Sequence, residues 1–389
     1  MSNLRSGAVG LQACRHVMAI GMCGLLSACL PTDQPTPAAT AETPPALVQL
    51  GELLFSDATL SSNADHSGPG GQSCASCHLP AQAFTDPDTS RPVSAGSVAG
   101  RFGHRNAPTV AYAAFVPPLS ATLEDGDVLW TGGLFLDGRV DSLEAQATQP
   151  FLNASEMNNA SPAEVVARLR ASPSATPFLQ VFGADALDPG HEEQAFARIA
   201  SAIAAYERTP AVSPFSSRFD DYLAGRGKLT AEELEGMAVF VRADKGNCAA
   251  CHSMARGPAG QPPLFTDFSY DNLGVPRNAD PTYFPPDFVD EGLGATLAAR
   301  GVASADRFRG KFRVPTLRNI AHTAPYMHNG VFTSLRQVIE FYSTRDSDPG
   351  RWGATEIPST VNRTELGNLR LSDREINALV AFLQTLNDR

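Results

Sequence analysis

Two stretches decide the reading of this chain: Cys74-Ala75-Ser76-Cys77-His78 and Cys248-Ala249-Ala250-Cys251-His252. In each, two thiols two residues apart on a helical turn match the separation of the two vinyl groups of a haem, and each thiol can add to one of them. The histidine next in line then lies under the iron as its proximal ligand. A redox CxxC pair does not need the adjacent histidine. A structural zinc site would need further Cys or His pairs close by, and the sequence has none near either motif. Two complete copies point to two covalently bound haem c groups. Cys74, Cys77, Cys248 and Cys251 are then the attachment points, and His78 and His252 the iron ligands.

The remaining cysteines fall at the start of the chain. Arg5 and Arg15 flank a positive beginning, and the apolar run Val17 to Leu26 is too short to span a bilayer as a stable helix. It ends in Leu26-Ser27-Ala28-Cys29, which resembles the lipobox of a bacterial lipoprotein, with Cys29 the lipidated residue. The alternative is an ordinary signal peptide in which Cys29 is incidental. Pro31 to Pro45 is proline-rich and almost free of apolar side chains, so it reads as an extended tether. Of seven cysteines, Cys14 and Cys23 leave with the signal, Cys29 takes the lipid and four bind haem, leaving none for a structural disulfide. The expected organisation is a signal peptide over 1–28, a flexible tether over 29–45, and cytochrome c-like domains over 46–208 and 209–389. The expected location is the periplasm, with the membrane touched only through the lipid. Leu30 after Cys29, rather than an acid, favours the outer membrane by resemblance to known sorting rules. Without the lipid, the chain would be a soluble periplasmic protein.

Of 389 residues, 43% are hydrophobic and 18% charged, and 32 glycines and 30 prolines favour long irregular connections. Removing residues 1–28 takes away two arginines and no acid, which moves the net charge from −11 to −13. So acidic a chain is a poor binder of nucleic acid.

The regular structure is expected to be helical. Thr230 with Glu233 and Ser372 with Glu375 are capping boxes, the first opening a helix through Met237, Phe240 and Val241. Ile376, Leu379, Val380, Leu383 and Leu386 recur at the spacing of one buried stripe, as do Phe196, Ile199, Ile203 and Tyr206. No run shows convincing strand alternation. The fold class is mainly α: two cytochrome c-like haem domains with long irregular loops.

The chain also repeats itself. Phe84-Thr85-Asp86 and Pro108-Thr109 follow the first motif, and Phe265-Thr266-Asp267 and Pro315-Thr316 follow the second. Gly138 to Leu143 then matches Gly330 to Leu335, and each block should start a helix over the far side of its haem. Under this alignment Leu136 corresponds to His328, and Pro150 to Tyr342. Tyr342 shares an apolar stripe with Leu335, Val338 and Ile339, so it points inward. It reads either as a tyrosinate ligand to the second iron or as a packed core tyrosine with a hydrogen-bonded hydroxyl. Met327 is a rival ligand. Proline has no ligating atom, so the matching face of the first haem is open. Gln146 and Glu156 stand near that face. A carboxylate there could accept the first proton of a peroxide and return it to the leaving oxygen. Otherwise Glu156 is an ordinary loop acid.

At these residues the chain resembles the bacterial di-haem cytochrome c peroxidases and their MauG-like branch. The likeness runs from about Leu50 to Leu386. It includes Leu53-Leu54-Phe55, Arg105 to Thr109, Asp137-Gly138-Arg139, Glu156-Met157-Asn158, Val314 to Asn319 and Thr323 to His328. The resemblance implies that Glu156 is the acid/base residue, with Gln146 and Pro150 lining the same pocket. It implies one calcium ion between the haems, held by Asn106 and the backbone oxygens of Thr323 and Pro325; oxygen-only ligation suits calcium. It also places the sixth ligand of the second haem at position 342, methionine in the peroxidase branch and tyrosine in the MauG-like branch. Two departures stand out. Leu136 replaces a tryptophan the family usually has between the haems, with Trp130 six residues earlier. Val98 replaces a histidine that caps the first haem at rest in the peroxidase branch, and His104 reads as a surface or core residue off that register.

Three functions follow as expectations. The leading one is a peroxidase that reduces hydrogen peroxide at the first haem, with a small periplasmic cytochrome c or cupredoxin as electron donor. The second is MauG-like oxidation of a partner protein, favoured by Tyr342. The third is a non-catalytic electron-transfer cytochrome.

Overall fold

The computed structural model describes residues 43–62 and 71–389. The expected signal peptide, Cys29 and most of the tether lie outside the described residues. The first half contributes α1 (Pro45–Ser56), α2 (Cys74–Cys77), α3 (Leu143–Leu152), α4 (Pro162–Ala171), α5 (Ala175–Phe182) and α6 (Glu192–Glu207). The second contributes α7 (Arg218–Leu223), α8 (Ala231–Val241), α9 (Leu293–Ala299), α10 (Leu335–Thr344), α11 (Pro349–Trp352) and α12 (Asp373–Gln384).

The local signals act as their chemistry dictates. Thr230 and Glu233 cap each other at the start of α8, and Ser372 and Glu375 do so at α12, so four otherwise unpaired groups at these helix starts are satisfied. Ser142 caps α3 and Ser334 caps α10, the two helices that the repeat set over the haems. Phe196, Ile199, Ile203 and Tyr206 are all buried along α6, and Ile376, Leu379 and Leu383 along α12.

Each half builds its own core around one tight helix crossing. Gly51 of α1 lies on the backbone of α6, where a Cβ would overlap the carbonyl oxygen of Ala202. Gly236 of α8 lies in the same way on Ala378 of α12. Four residues beyond each glycine an aromatic ring locks the crossing: Phe55 lies 5.4 Å from Tyr206, and Phe240 lies 5.3 Å from Phe382, centroid to centroid. The same two rings reach the Phe-Thr-Asp blocks, with Phe55–Phe84 and Phe240–Phe265 both at 6.3 Å. The repeat therefore extends into the packing of each half.

Two small sheets join this helical frame. β1 (Ser120–Glu124) and β2 (Asp127–Thr131) form an antiparallel hairpin in register Ser120↔Thr131 to Glu124↔Asp127, and β3 (Tyr270–Asp271) pairs with β4 (Phe312–Arg313). The hairpin was not foreseen. Its signal is Asp125-Gly126, both at positive φ (50° and 90°), as a two-residue primed turn requires. Leu123, Val128 and Leu129 are exposed on it, so no buried face imposes the alternation that a strand search looks for. No helix among the described residues is long and apolar enough to cross a membrane.

Candidate haem centres

The two proximal histidines are held by matching bonds. His78 Nδ1 donates to the carbonyl of Phe84 at 3.2 Å, and His252 Nδ1 to that of Phe265 at 2.8 Å. A carbonyl only accepts, so Nδ1 carries the proton in both rings and Nε2 is the bare nitrogen available to iron. Both phenylalanines adopt positive φ, 57° and 54°, which turns their carbonyls onto the rings. The Pro-Thr blocks then brace the loops. Thr109 Oγ1 donates to Ala83 O and Thr316 Oγ1 to Leu264 O, each at 2.6 Å. Burial holds both imidazoles below the ordinary histidine value, so they are neutral, as a ligand must be.

The thiols show the same pairing. Burial pushes Cys77, Cys248 and Cys251 up to about 12, and Cys74 higher still, where the buried Glu207 carboxyl adds to the effect. A redox CxxC needs a lowered thiol pKa, and these sites provide the reverse. The fit to haem is clearest around His252. Cys248, Cys251 and His252 line a largely apolar chamber of about 300 Å³, with Leu335, Val338 and Leu379 on its walls. Arg313 also lines it. Its one side-chain hydrogen bond among the described residues goes from Nε to Phe135 O at 3.3 Å, and it forms no ion pair among them. Such a cation suits a haem propionate.

The far faces differ. Tyr342 projects from α10 into the His252 chamber, and its hydroxyl has no hydrogen-bond partner among the described residues. Burial, with the Cys248 and Cys251 thiols next, pushes its pKa well above the ordinary phenol value. Met327 lines the same chamber at φ 73°. On the first side, Gln146 and Pro150 stand one turn apart on α3. The loop after α3 folds back under it: Met157 N–H donates to Pro150 O at 3.1 Å, and Ser97 N–H to Glu156 O at 2.7 Å. Glu156 is half-buried, and Asn153 Nδ2 donates to its Oε1 at 2.8 Å. Burial raises its pKa, against the pull of Arg139 and Asn153. The carboxylate lies close enough to Cys74 and Cys77 to add a little to the rise of both thiols. The side chain of Gln146 has no hydrogen bond among the described residues.

Between the centres, Asn106 places its side-chain amide on the carbonyl of Pro325 and donates its own N–H to His328 O at 2.8 Å. Asn106, Thr323 and Pro325 line one wall of the His252 chamber. Phe312 stacks on His328 at 4.0 Å, and burial holds that imidazole down at about 4. Arg105 joins Asp137 and Asp290 beside them, with bonds of 2.6 Å to each. Leu136 is in the chamber wall, whereas Trp130 packs on the hairpin side, against Leu119, Tyr270 and Leu293. His104 is exposed, with its ring 4.5 Å from Phe288.

Two CxxCH–histidine units, each on its own helical core and with unlike far faces, define a c-type cytochrome with two haem sites. The chain belongs to the di-haem cytochrome c peroxidase family. The model of that family matches residues 45–228, and the cytochrome c family model matches residues 234–387. The chain is 42% identical to the methylamine utilization protein MauG of Paracoccus denitrificans, over 88% of this chain and 89% of that one. It is 31% identical to the cytochrome-c peroxidase IdrP2 of Denitromonas iodatirespirans, over 88% and 81%. The crystal structure of the diheme peroxidase BthA from Burkholderia thailandensis superposes with a TM-score of 0.80 at 36% identity, covering 91% of this chain and 89% of that one. These similarities make the chain an oxidoreductase of a family whose members carry two c-type haems.

Proposed function

We propose that this protein is a di-haem c-type peroxidase that reduces hydrogen peroxide on the His78 side, while the His252 side relays electrons or oxidising equivalents. The inequality of the two far faces carries this reading: Pro150 offers no ligating atom and the Glu156 loop folds back onto it, whereas Tyr342 offers a phenol without a partner among the described residues. Bound haem would supply the iron, its redox chemistry and a coordination position for peroxide. Glu156 would take the first proton of the peroxide and hand it to the departing oxygen. Asn153 engages Oε1 and leaves Oε2 without a side-chain partner among the described residues, so one oxygen is held while the other is free to exchange a proton. Burial raises the Glu156 pKa, which favours the acid form that returns the proton. Gln146 offers an amide to the same pocket.

Three further assignments belong to this reading. Asn106 with the backbone oxygens of Thr323 and Pro325 would hold one calcium ion, a donor set of oxygens only. Cys29 would carry a lipid that tethers the chain on the periplasmic side. The electron donor would be a small cytochrome c or a cupredoxin.

Glu156→Gln tests the mechanism. Peroxide turnover should fall by about 10²–10⁴-fold, the usual contribution of a positioned proton donor and acceptor, while both haems remain attached. Unchanged turnover overturns it.

Tyr342 and the likeness to MauG support a second reading, in which the electrons come from a partner protein's side chains. An anionic tyrosinate on iron favours high oxidation states, where methionine raises the potential. Rapid peroxide-dependent oxidation of small cytochromes or cupredoxins would count against this second reading. Two six-coordinate haems inert to peroxide would instead mark a non-catalytic cytochrome.

A further inference from the structure

Asp388 sits where the two halves of the repeat meet. Its Oδ2 accepts a bond from Tyr112 Oη at 2.6 Å and another from Asn319 Nδ2 at 2.9 Å. Tyr112 and Asn319 are repeat equivalents, each four residues past its Pro-Thr proline, and both adopt the left-handed conformation, at φ 65° and 62°. Asparagine adopts that conformation readily, and a bulky aromatic does not. A tyrosine held there is an outlier of the kind that accompanies function.

Tyr112 also faces both sides. It is part of the first-half core, against which Cys74 and Ala75 pack, and it lines the chamber of His252. Three tyrosines line that chamber. Tyr342 has no partner among the described residues, and Tyr326 donates to a backbone carbonyl, Ile320 O, at 3.1 Å. Tyr112 alone of the three reaches a carboxylate. That carboxylate is fixed from its other side by Ser216 N–H at 2.8 Å on Oδ1, and its backbone N–H donates to Asn319 Oδ1 at 2.7 Å. The Tyr112 oxygen also accepts Phe215 N–H at 3.0 Å.

We propose that Tyr112 and Asp388 form a proton-coupled electron relay between the two haem sites. The inference rests on the peroxidase reading for its physiological oxidant, a haem at His78 oxidised by peroxide. In the step, one electron leaves the Tyr112 ring for that oxidant, the phenolic O–H bond breaks, and its proton passes to Asp388 Oδ2. Tyrosine is oxidised to a neutral phenoxyl radical, and the haem is reduced by one electron. An electron from the His252 haem then refills the phenoxyl, and the proton returns from Asp388. The environment selects this coupled route. The Arg318 guanidinium lies 5.0 Å from the ring centre and opposes a positively charged ring, whereas a proton acceptor at 2.6 Å allows a neutral product.

The test uses the di-haem protein frozen within milliseconds of mixing with one equivalent of hydrogen peroxide. Electron paramagnetic resonance should show a tyrosyl radical that is absent in Tyr112→Phe. Tyr112→Phe should leave the optical reaction of the first haem with peroxide unchanged. Electron arrival from the second haem should slow by about 10²-fold, as should occur in Asp388→Asn, where the proton acceptor is gone. A radical and an inter-haem rate that survive in Tyr112→Phe overturn the relay. If the parent's first haem does not react with peroxide, the peroxidase reading fails by itself. A photogenerated ruthenium(III) oxidant then replaces peroxide: a radical lost in Tyr112→Phe supports the relay, and one that persists overturns it.

Discussion

Replacing Asp220 by asparagine should destabilise this protein more than almost any other single polar substitution. Asp220 and Arg318 form a two-point ion pair, with Oδ2 2.9 Å from Nη1 and Oδ1 2.8 Å from Nη2. Side-chain exposure is 0% for Arg318 and 4% for Asp220, so no water can take over for a lost partner. Arg318 Nε is spent on Pro263 O at 2.8 Å, and its plane lies 4.5 Å from the Phe215 ring centre. Asp220→Asn leaves a buried guanidinium without a counter-charge, at a cost of about 3–5 kcal/mol. Unfolding entropy is about 2.1 cal/mol/K per residue, or about 0.7 kcal/mol/K over residues 43–389, so a joint transition should drop by about 4–7 °C. Differential scanning calorimetry of the haem-loaded protein measures it. Adding Arg318→Met to Asp220→Asn should recover part of the loss, since no lone charge is then buried. The sign with pH is fixed as well. Burial pushes the Asp220 carboxyl up, but bonds and charge from Arg318, with Ser217, pull it below its ordinary 3.8. The pair's contribution is therefore complete above about pH 4 and is lost as pH falls through the lower, folded value. A melting change under about 1 °C, or a single variant no less stable than the double one, would refute the argument.

With Tyr342 as the ligand of the second haem, Tyr342→Phe should change the ferric spectrum and raise the potential, because an anionic oxygen ligand would be lost while Cys248, Cys251 and His252 remain; an unaltered spectrum would exclude Tyr342 as ligand. Metal analysis should find one calcium per chain in the parent and none in Asn106→Ala, and equal content in the two would remove Asn106 from the site. The acid limb of kcat/KM for peroxide should lie above pH 4.5, since burial raises the Glu156 pKa and the base form is lost below it. That limb should vanish in the residual activity of Glu156→Gln, and an identical pH profile in the variant would assign it to another group.

Much of this site is legible in the sequence. The CxxCH spacing is a covalent requirement, and the capping boxes at Thr230 and Ser372 are satisfied within four residues, so neither depends on the rest of the fold. The repeat placed Pro150 and Tyr342 on equivalent helices because α3 and α10 start from equivalent serine caps, Ser142 and Ser334. The hairpin over 120–131 was missed, because its exposed faces impose no burial pattern. The crossings at Gly51 and Gly236 were missed for another reason: a glycine four residues before a phenylalanine has no meaning until a second helix lies on it.

The sequence by itself determined that the chain carries two haem attachment sites, that its frame is helical and duplicated, and that the repeat equivalent of Tyr342 is a proline, which has no ligating atom. These rest on covalent chemistry, short-range hydrogen bonds and side-chain inventory, all of which act over a few residues. Only the tertiary structure decided what is brought together from far apart. It put the Tyr342 side chain in the His252 chamber without a hydroxyl partner among the described residues, set Trp130 on the hairpin side, and joined Tyr112, Asn319 and Asp388 at one carboxylate across 276 residues of chain. The physical reason is that burial and Coulomb interaction depend on distance in space, and a sequence records only distance along the chain.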